Sequence, residues 1–247
     1  MDHWERFPNA PIVEALLDIH ATFSAPVGLD QLVRFHEPIR DRYPVKQEQV
    51  LWEVQFGAQG AAIQQAVKSE PRGLMFKSND GRRVVQARRD GFTFNWLKPY
   101  QTWNALRDEA RPLWERYAEM FRPSQVTKLG LRYINRLELP LPFNDFRDYV
   151  RTAPDIADGI PQSVSGLFMR LEIPKPESDL VAVVTETIEP LSQEGTRLPF
   201  LFDIDVTRTA IFETTSQDIW ESFERMRDYK NTIFFTSTTD QAKAMFR

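Results

Sequence analysis

Cysteine is absent from the 247-residue chain, which excludes disulfides, thiolate zinc sites, iron–sulfur clusters and cysteine nucleophiles. Histidine is nearly as scarce. His3, His20 and His36 are the only three, and none has the close spacing of a two-histidine metal motif. No apolar run approaches the ~18 residues of a membrane span. The stretch from Met1 to Pro8 lacks the apolar core of a signal peptide. A cytoplasmic protein without membrane contact is therefore expected. An excess of positive charge is also missing: 31 Lys and Arg stand against 35 Asp and Glu, for a net charge of −4. No global field draws the chain to nucleic acid or an anionic surface. Neither a glycine-rich phosphate loop nor a Gly-x-Ser-x-Gly elbow occurs. Ser163 and Ser165 read as a strand entrance, not as nucleophiles.

What is present is period-two alternation. An arm over residues 1–10 leads through Pro11 into Ile12 to Phe23. There Ala15, Leu17, Ile19, Ala21 and Phe23 alternate with Glu14, Leu16, Asp18, His20 and Thr22, the pattern of a half-buried strand. Leu29 to Tyr43 has helical spacing, with Pro38 placed to bend it and Pro44 to end it. Val50 to Phe56 turns Trp52, Val54 and Phe56 inward and Glu53 and Gln55 outward. Gly73 to Ser78 and Arg82 to Arg89 flank Asn79-Asp80-Gly81, and Asp90-Gly91 leads into Phe92, Phe94 and Trp96. Both Asp-Gly pairs favour hairpins.

A long helix is predicted from near Pro99 to Phe121. Trp103, Leu106, Ala110, Leu113, Trp114 and Tyr117 form its apolar face, and Arg107, Asp108, Glu109 and Arg111 lie among the residues covering the rest. Pro112 predicts a kink. The strand Thr127 to Pro140 comes next. Asn144 to Val150 reads as a short capped helix and residues 152–161 as a loop. Val164 to Ile173, Val181 to Ile188 and Pro199 to Arg208 are strands, with a loop at Gln193-Glu194-Gly195. Thr214 to Tyr229 is a helix that can continue through Ile233 and Phe234. A short helix follows Ser237-Thr238-Thr239-Asp240.

The order strand, helix, several strands, helix occurs twice, over residues 12–121 and 129–235. Trp103 and Leu106 match Trp220 and Phe223 at an offset of 117 positions. This predicts an α+β fold: a pseudo-duplicated β-α-β(3-4)-α unit with a curved antiparallel sheet and helices on one face. Residues 1–124 and 125–247 would be halves of one compact unit. The order resembles the architecture of the TATA-binding protein, a likeness that carries no function.

Three segments stand out: Pro11-Ile12-Val13-Glu14-Ala15, Gly130-Leu131-Arg132-Tyr133-Ile134-Asn135-Arg136, and Lys230-Asn231-Thr232-Ile233-Phe234-Phe235. Together they resemble a sporadically distributed, uncharacterised family of bacterial and archaeal proteins of about this length. The resemblance spans nearly the whole chain and implies a single structural unit, with no activity, cofactor or catalytic residue attached.

If helices cover the apolar side, alternation collects Glu14, Asp18, His20, Glu53, Gln55, Arg132, Arg136, Arg170, Glu172, Asp203 and Asp205 on the opposite face. Three readings are open. The charges can simply pair across strands, each pair worth about 0.2–1 kcal/mol. They can form a binding face for a protein, a peptide or an anionic ligand. Lys128, Arg132 and Arg136 would line a groove, with Arg170, Glu14, Asp203, Asp205, Lys230 and Asn231 as further contacts, because the guanidinium fork matches carboxylate and phosphate. Interleaved acids disfavour nucleic acid. Or Asp203 and Asp205, ~7 Å apart along a strand, can join Glu14, Asp18 or Glu186 around Mg²⁺ or Mn²⁺ in a hydrolase of phosphorylated or nucleic-acid substrates. A non-catalytic binding module without a cofactor is the preferred reading, and the hydrolase is the alternative. Asn135, an amide in an apolar row, is expected to fasten a neighbouring element such as the Lys230-Asn231 segment. Those two residues would in turn cap a helix end or place a cation at the end of the sheet. His20 is set aside as a general base.

Overall fold

A computed structural model describes residues 4–59, 62–143, 145–161, 164–190 and 195–247, with the side chains of 49–71 outside that description. The strands are β1 (Ile12–Thr22), β2 (Val45–Gln59), β3 (Ala62–Lys77), β4 (Arg83–Arg88), β5 (Gly91–Leu97), β6 (Gln125–Pro140), β7 (Phe168–Pro174), β8 (Leu180–Ile188) and β9 (Arg197–Phe212). The helices are α1 (Leu29–Arg34), α2 (Trp103–Phe121), α3 (Gln217–Ser237) and α4 (Asp240–Ala244). Among the described residues the strands form one open sheet in the order β2-β3-β4-β5-β1-β6-β9-β8-β7. Every neighbouring pair is antiparallel. β1 and β6 are adjacent near the middle. From them one arm runs outward through β5, β4, β3 and β2, and the other through β9, β8 and β7.

Alternation decides which face is covered. Ala15, Leu17 and Ile19 of β1, Leu129, Leu131 and Tyr133 of β6, and Phe202, Ile204 and Val206 of β9 are buried together. α2 and α3 lie side by side against them. Phe92 meets the rings of Trp114 and Tyr117, and Phe202 stacks with Phe234. Such ring pairs add about 0.5–1.5 kcal/mol each beyond the area they bury. The two helices are tied by Trp103 Nε1, which donates to Glu224 at 2.8 Å, and by Arg107, which donates to the same carboxylate at 2.6 Å.

Several boundaries differ from the sequence pattern. α1 stops at Arg34, and Glu37–Ile39 is a separate 3-10 turn, because Pro38 supplies no backbone donor to continue an α-helix. α2 begins at Trp103, not near Pro99, with the Thr102 hydroxyl accepting from Ala105 N. It continues across Pro112 and closes at Arg122, which adopts φ 47° before Pro123. Only Phe146–Asp148 is helical in the 144–150 stretch, as a 3-10 turn capped by Asp145; Asn144 lies outside the described residues. α3 runs through Ile233 and Phe234 to Ser237. Glu109, assigned to the solvent side of α2, is only 7% exposed. The inward placing of Trp52, Val54 and Phe56, the outward placing of Glu53 and Gln55, and the loop residues Gln193 and Glu194 fall outside the described residues, as does Ser163.

Candidate functional site

Strand register brings the expected charged residues to one sheet face. Across β1, β6 and β9, Leu16 pairs with Arg132 and Arg132 with Asp205, while Glu14 pairs with Ile134 and Ile134 with Asp203. Arg170 and Glu172 lie further out on β7, opposite Thr185 and Val183 of β8. The arginines of this face already carry carboxylates. Arg132 grips Asp203 in a fork, with Nε 2.9 and 3.0 Å from the two oxygens and Nη2 2.6 Å from Oδ2. Arg136 pairs with Glu138 and, at 2.6 Å, with Glu189. Glu14 accepts from Asn95 at 2.6 Å. Lys128 is exposed. The Asp205 carboxyl is pushed above the ordinary aspartate range by burial, against the opposing charge of Arg132 and with the reinforcement of Asp203.

Closer to β5, Asp18 is the hub of a second set. It accepts from Arg88 and from Thr93, both at 2.5 Å, and His20 Nε2 lies 2.8 Å from it. Arg88 also bonds Asp90, which Arg72 holds at 2.7 Å. Burial alone would raise the Asp18 carboxyl, but the hydrogen bond with His20 and the charge of Arg88 outweigh it and hold the group well below the ordinary range. Gly130 makes room for this hub: a Cβ there would lie 3.3 Å from Asp18 Cβ. His20 and Asp18 are thus brought together, in a cluster closed by arginine.

The metal-centred grouping is not assembled in this way. Glu186 pairs with Phe202 in the apolar row of β8 and β9 and lies on the face opposite Asp203 and Asp205. Among the described residues no group of three or more His, Asp or Glu side chains is disposed to hold a metal ion. Arg132 is committed to Asp203 in this setting. Arg132→Ala is expected to cost about 1–3 kcal/mol in urea unfolding, because Asp203 is left half-buried without its partner. Adding Asp203→Ala should then cost less than the two single changes summed.

The three sequence segments meet elsewhere, on the covered face at the end of β6. A cleft of about 120 Å³ is lined by Pro11 and Ile12, by Tyr133 and Asn135, and by Lys230, Asn231, Phe234 and Phe235. The N-terminal arm contributes Trp4, Arg6 and Phe7, and the loop into α2 contributes Tyr100 and Thr102. Trp4 stacks on Phe235 at 5.0 Å and donates to Asp228 at 2.9 Å, which seats the arm against α3. Lys230, 8% exposed, holds Nζ 3.9 Å above the Tyr133 ring, a cation–π contact. The Tyr100 and Tyr133 hydroxyls are 2.9 Å apart. Burial, followed by Tyr100, raises the Tyr133 phenol well above its ordinary value, so it stays a neutral donor.

Asn135 donates to Phe202 O at 2.9 Å. It therefore fastens β9, not the Lys230-Asn231 segment. Lys230 and Asn231 are not helix caps either, since α3 continues seven residues beyond Lys230 to Ser237. Asn231 is 6% exposed, and its amide has no hydrogen-bond partner among the described residues. Arg6, Tyr100 and Arg227 were not singled out from the sequence. Nothing in the periodicity of an arm or a loop marks which residues fold back over a sheet end. Models of known protein families and the curated proteins both yield no match to this chain.

Proposed function

We propose that the chain is a non-catalytic binding protein and that the cleft between the N-terminal arm, β6 and α3 receives the anionic end of a small or extended ligand. The carrying observation is Asn231. It is mostly buried at the wall of the cleft, whose lining also carries the donors Arg6, Arg227 and Lys230. The charged lining consists of Arg6, Arg227 and Lys230 against Glu5, and Glu5 is engaged by Arg247 at 3.0 Å. Aromatic walls with a few convergent polar groups are the usual make-up of a ligand site. The volume is close to the ~150 Å³ that admits a benzene ring, so one ring or a short chain bearing a carboxylate fits.

The same reading supports the cleft over the charged sheet face. An anion approaching Arg132 or Arg136 must displace a carboxylate already in place, whereas the cleft lining sets Arg6, Arg227 and Lys230 against a single carboxylate, Glu5. The hydrolase reading with Mg²⁺ or Mn²⁺ gains no comparable support. We also read the sheet as two related halves in the manner of the TATA-binding protein. In each half the first strand pairs with the last, β1 with β5 and β6 with β9, and a long helix follows. Cytoplasmic placement remains part of this proposal.

Benzoate tests it, with benzyl alcohol as the uncharged counterpart. Titration followed by calorimetry and by tryptophan fluorescence should show saturable benzoate binding. Benzyl alcohol should bind more weakly by roughly tenfold, the equivalent of a single charge-assisted hydrogen bond. Lys230→Met and Asn231→Ala should each weaken benzoate by about tenfold while leaving the fold intact. A response to benzoate that both variants retain, or none to benzoate, acetate and inorganic phosphate alike, overturns the proposal.

A further inference from the structure

The outer edge of the sheet at β7 carries a second message. Among the described residues no strand pairs with that edge. Ile188 N donates to Leu167 O and Lys175 N to Leu180 O, and the β7–β8 register between them is unbroken. The odd-numbered residues of β7 therefore bond inward to β8. The backbone groups of Phe168, Arg170 and Glu172 point away from the sheet, free to pair. Phe168 is 73% exposed, and the Arg170 and Glu172 side chains are both more than half exposed.

We infer that β7 pairs antiparallel with β7 of a second copy of this chain about a twofold axis at Leu171, joining the two sheets into one. This register has particular consequences. Arg170 faces Glu172 of the second copy, and Glu172 faces its Arg170, in positions that exchange both backbone hydrogen bonds. Leu171 meets its own counterpart, and Met169 meets Ile173, in the closer non-bonded positions on the apolar face. Moving the axis by one residue in either direction sets Arg170 against Arg170 or Glu172 against Glu172, which is repulsive. Pro174, lacking an N–H, limits the ladder at its end. Edge strands that resist pairing carry charged side chains, especially lysines, or point charge inward. The edge here alternates sign so that it complements itself, which selects a copy of the chain as the occupant.

Sedimentation velocity on the full chain provides the test. Wild type should be dimeric at about 100 µM, a concentration at which an edge contact of micromolar strength is filled. R170E and E172R each place like charges opposite one another and should weaken the dimer by roughly tenfold or more. An equimolar mixture of the two variants restores opposite charges across the axis and should recover dimers, as should the R170E/E172R double variant. Circular dichroism confirms that the exposed substitutions leave the fold unchanged. A wild type that is monomeric at that concentration, an R170E protein that dimerises normally, or a mixture that stays monomeric overturns the inference.

Discussion

Glu109→Ala is expected to lower stability by about 3–5 kcal/mol, the range for removing one member of a buried ion pair. Glu109 sits within α2, where Tyr43 donates to it at 2.5 Å, Arg42 lies 3.0 Å away and Arg83 Nε is 3.1 Å from its second oxygen. Arg83 in turn lies over the Trp96 ring at 4.2 Å. The carboxylate therefore ties α2 to β4 and to the turn after α1. Removal leaves the buried Tyr43 hydroxyl unsatisfied and the half-buried Arg83 with only Asp80, 3.9 Å away, as a counter-charge. The Tyr43 phenol is raised far above its ordinary value by burial and by its bond to Glu109, so it is the donor in that bond. Glu109→Gln keeps an acceptor for Tyr43 and loses only the charge, and it should cost about 1–2 kcal/mol. Urea unfolding of both variants measures the difference. Equal costs would mean that the void, not the unpaired groups, dominates.

Glu109 also shows where a linear pattern loses information. Helical periodicity places it beside Arg107 and Asp108, and from the sequence it reads as one more solvated charge. Its burial depends on Tyr43 and Arg83, which come from a turn and a strand far away in the chain. The strands were more readable because their period is two and one face packs. Leu129, Leu131 and Tyr133 against Lys128, Arg132 and Arg136 sort themselves without any knowledge of neighbours. Alternation gave the polar face residue by residue. It could not show that Arg132 already holds the Asp203 carboxylate, because that depends on register between β6 and β9. The cleft was legible only in pieces. Pro11, Tyr133, Asn135, Lys230 and Asn231 were marked by the three segments, but the arm and the loop that complete the enclosure have no periodic signature. Helix ends failed for a local reason: Pro38 shortens α1, and the apolar run to Phe234 carries α3 past Tyr229.

Replacing Glu186 by methionine is expected to stabilise the protein, and increasingly so as pH rises. Glu186 occupies the apolar row of β8 after Leu180, Ala182 and Val184, is 1% exposed, and has no hydrogen-bond partner for either carboxylate oxygen among the described residues. Burial pushes its carboxyl from the ordinary 4.5 up to about 7. The folded chain thus holds a proton that the unfolded chain releases between those values. With more protons bound in the folded state, stability is full below pH 4.5 and declines as pH rises toward 7. The decline amounts to about 3 kcal/mol at 1.36 kcal/mol per unit. Above pH 7 it levels off, since both states are then ionised. Methionine has similar length, no charge and a flexible shape that fills the same space. Chemical unfolding from pH 5 to 8 should show wild type falling behind Glu186→Met by a margin that opens to about 3 kcal/mol at pH 8. Glu186→Gln should follow the methionine variant in its pH dependence but stay less stable, because its amide remains buried and unsatisfied. A wild-type deficit that is constant across the range would mean that Glu186 is not titrating, and that only its polarity costs stability.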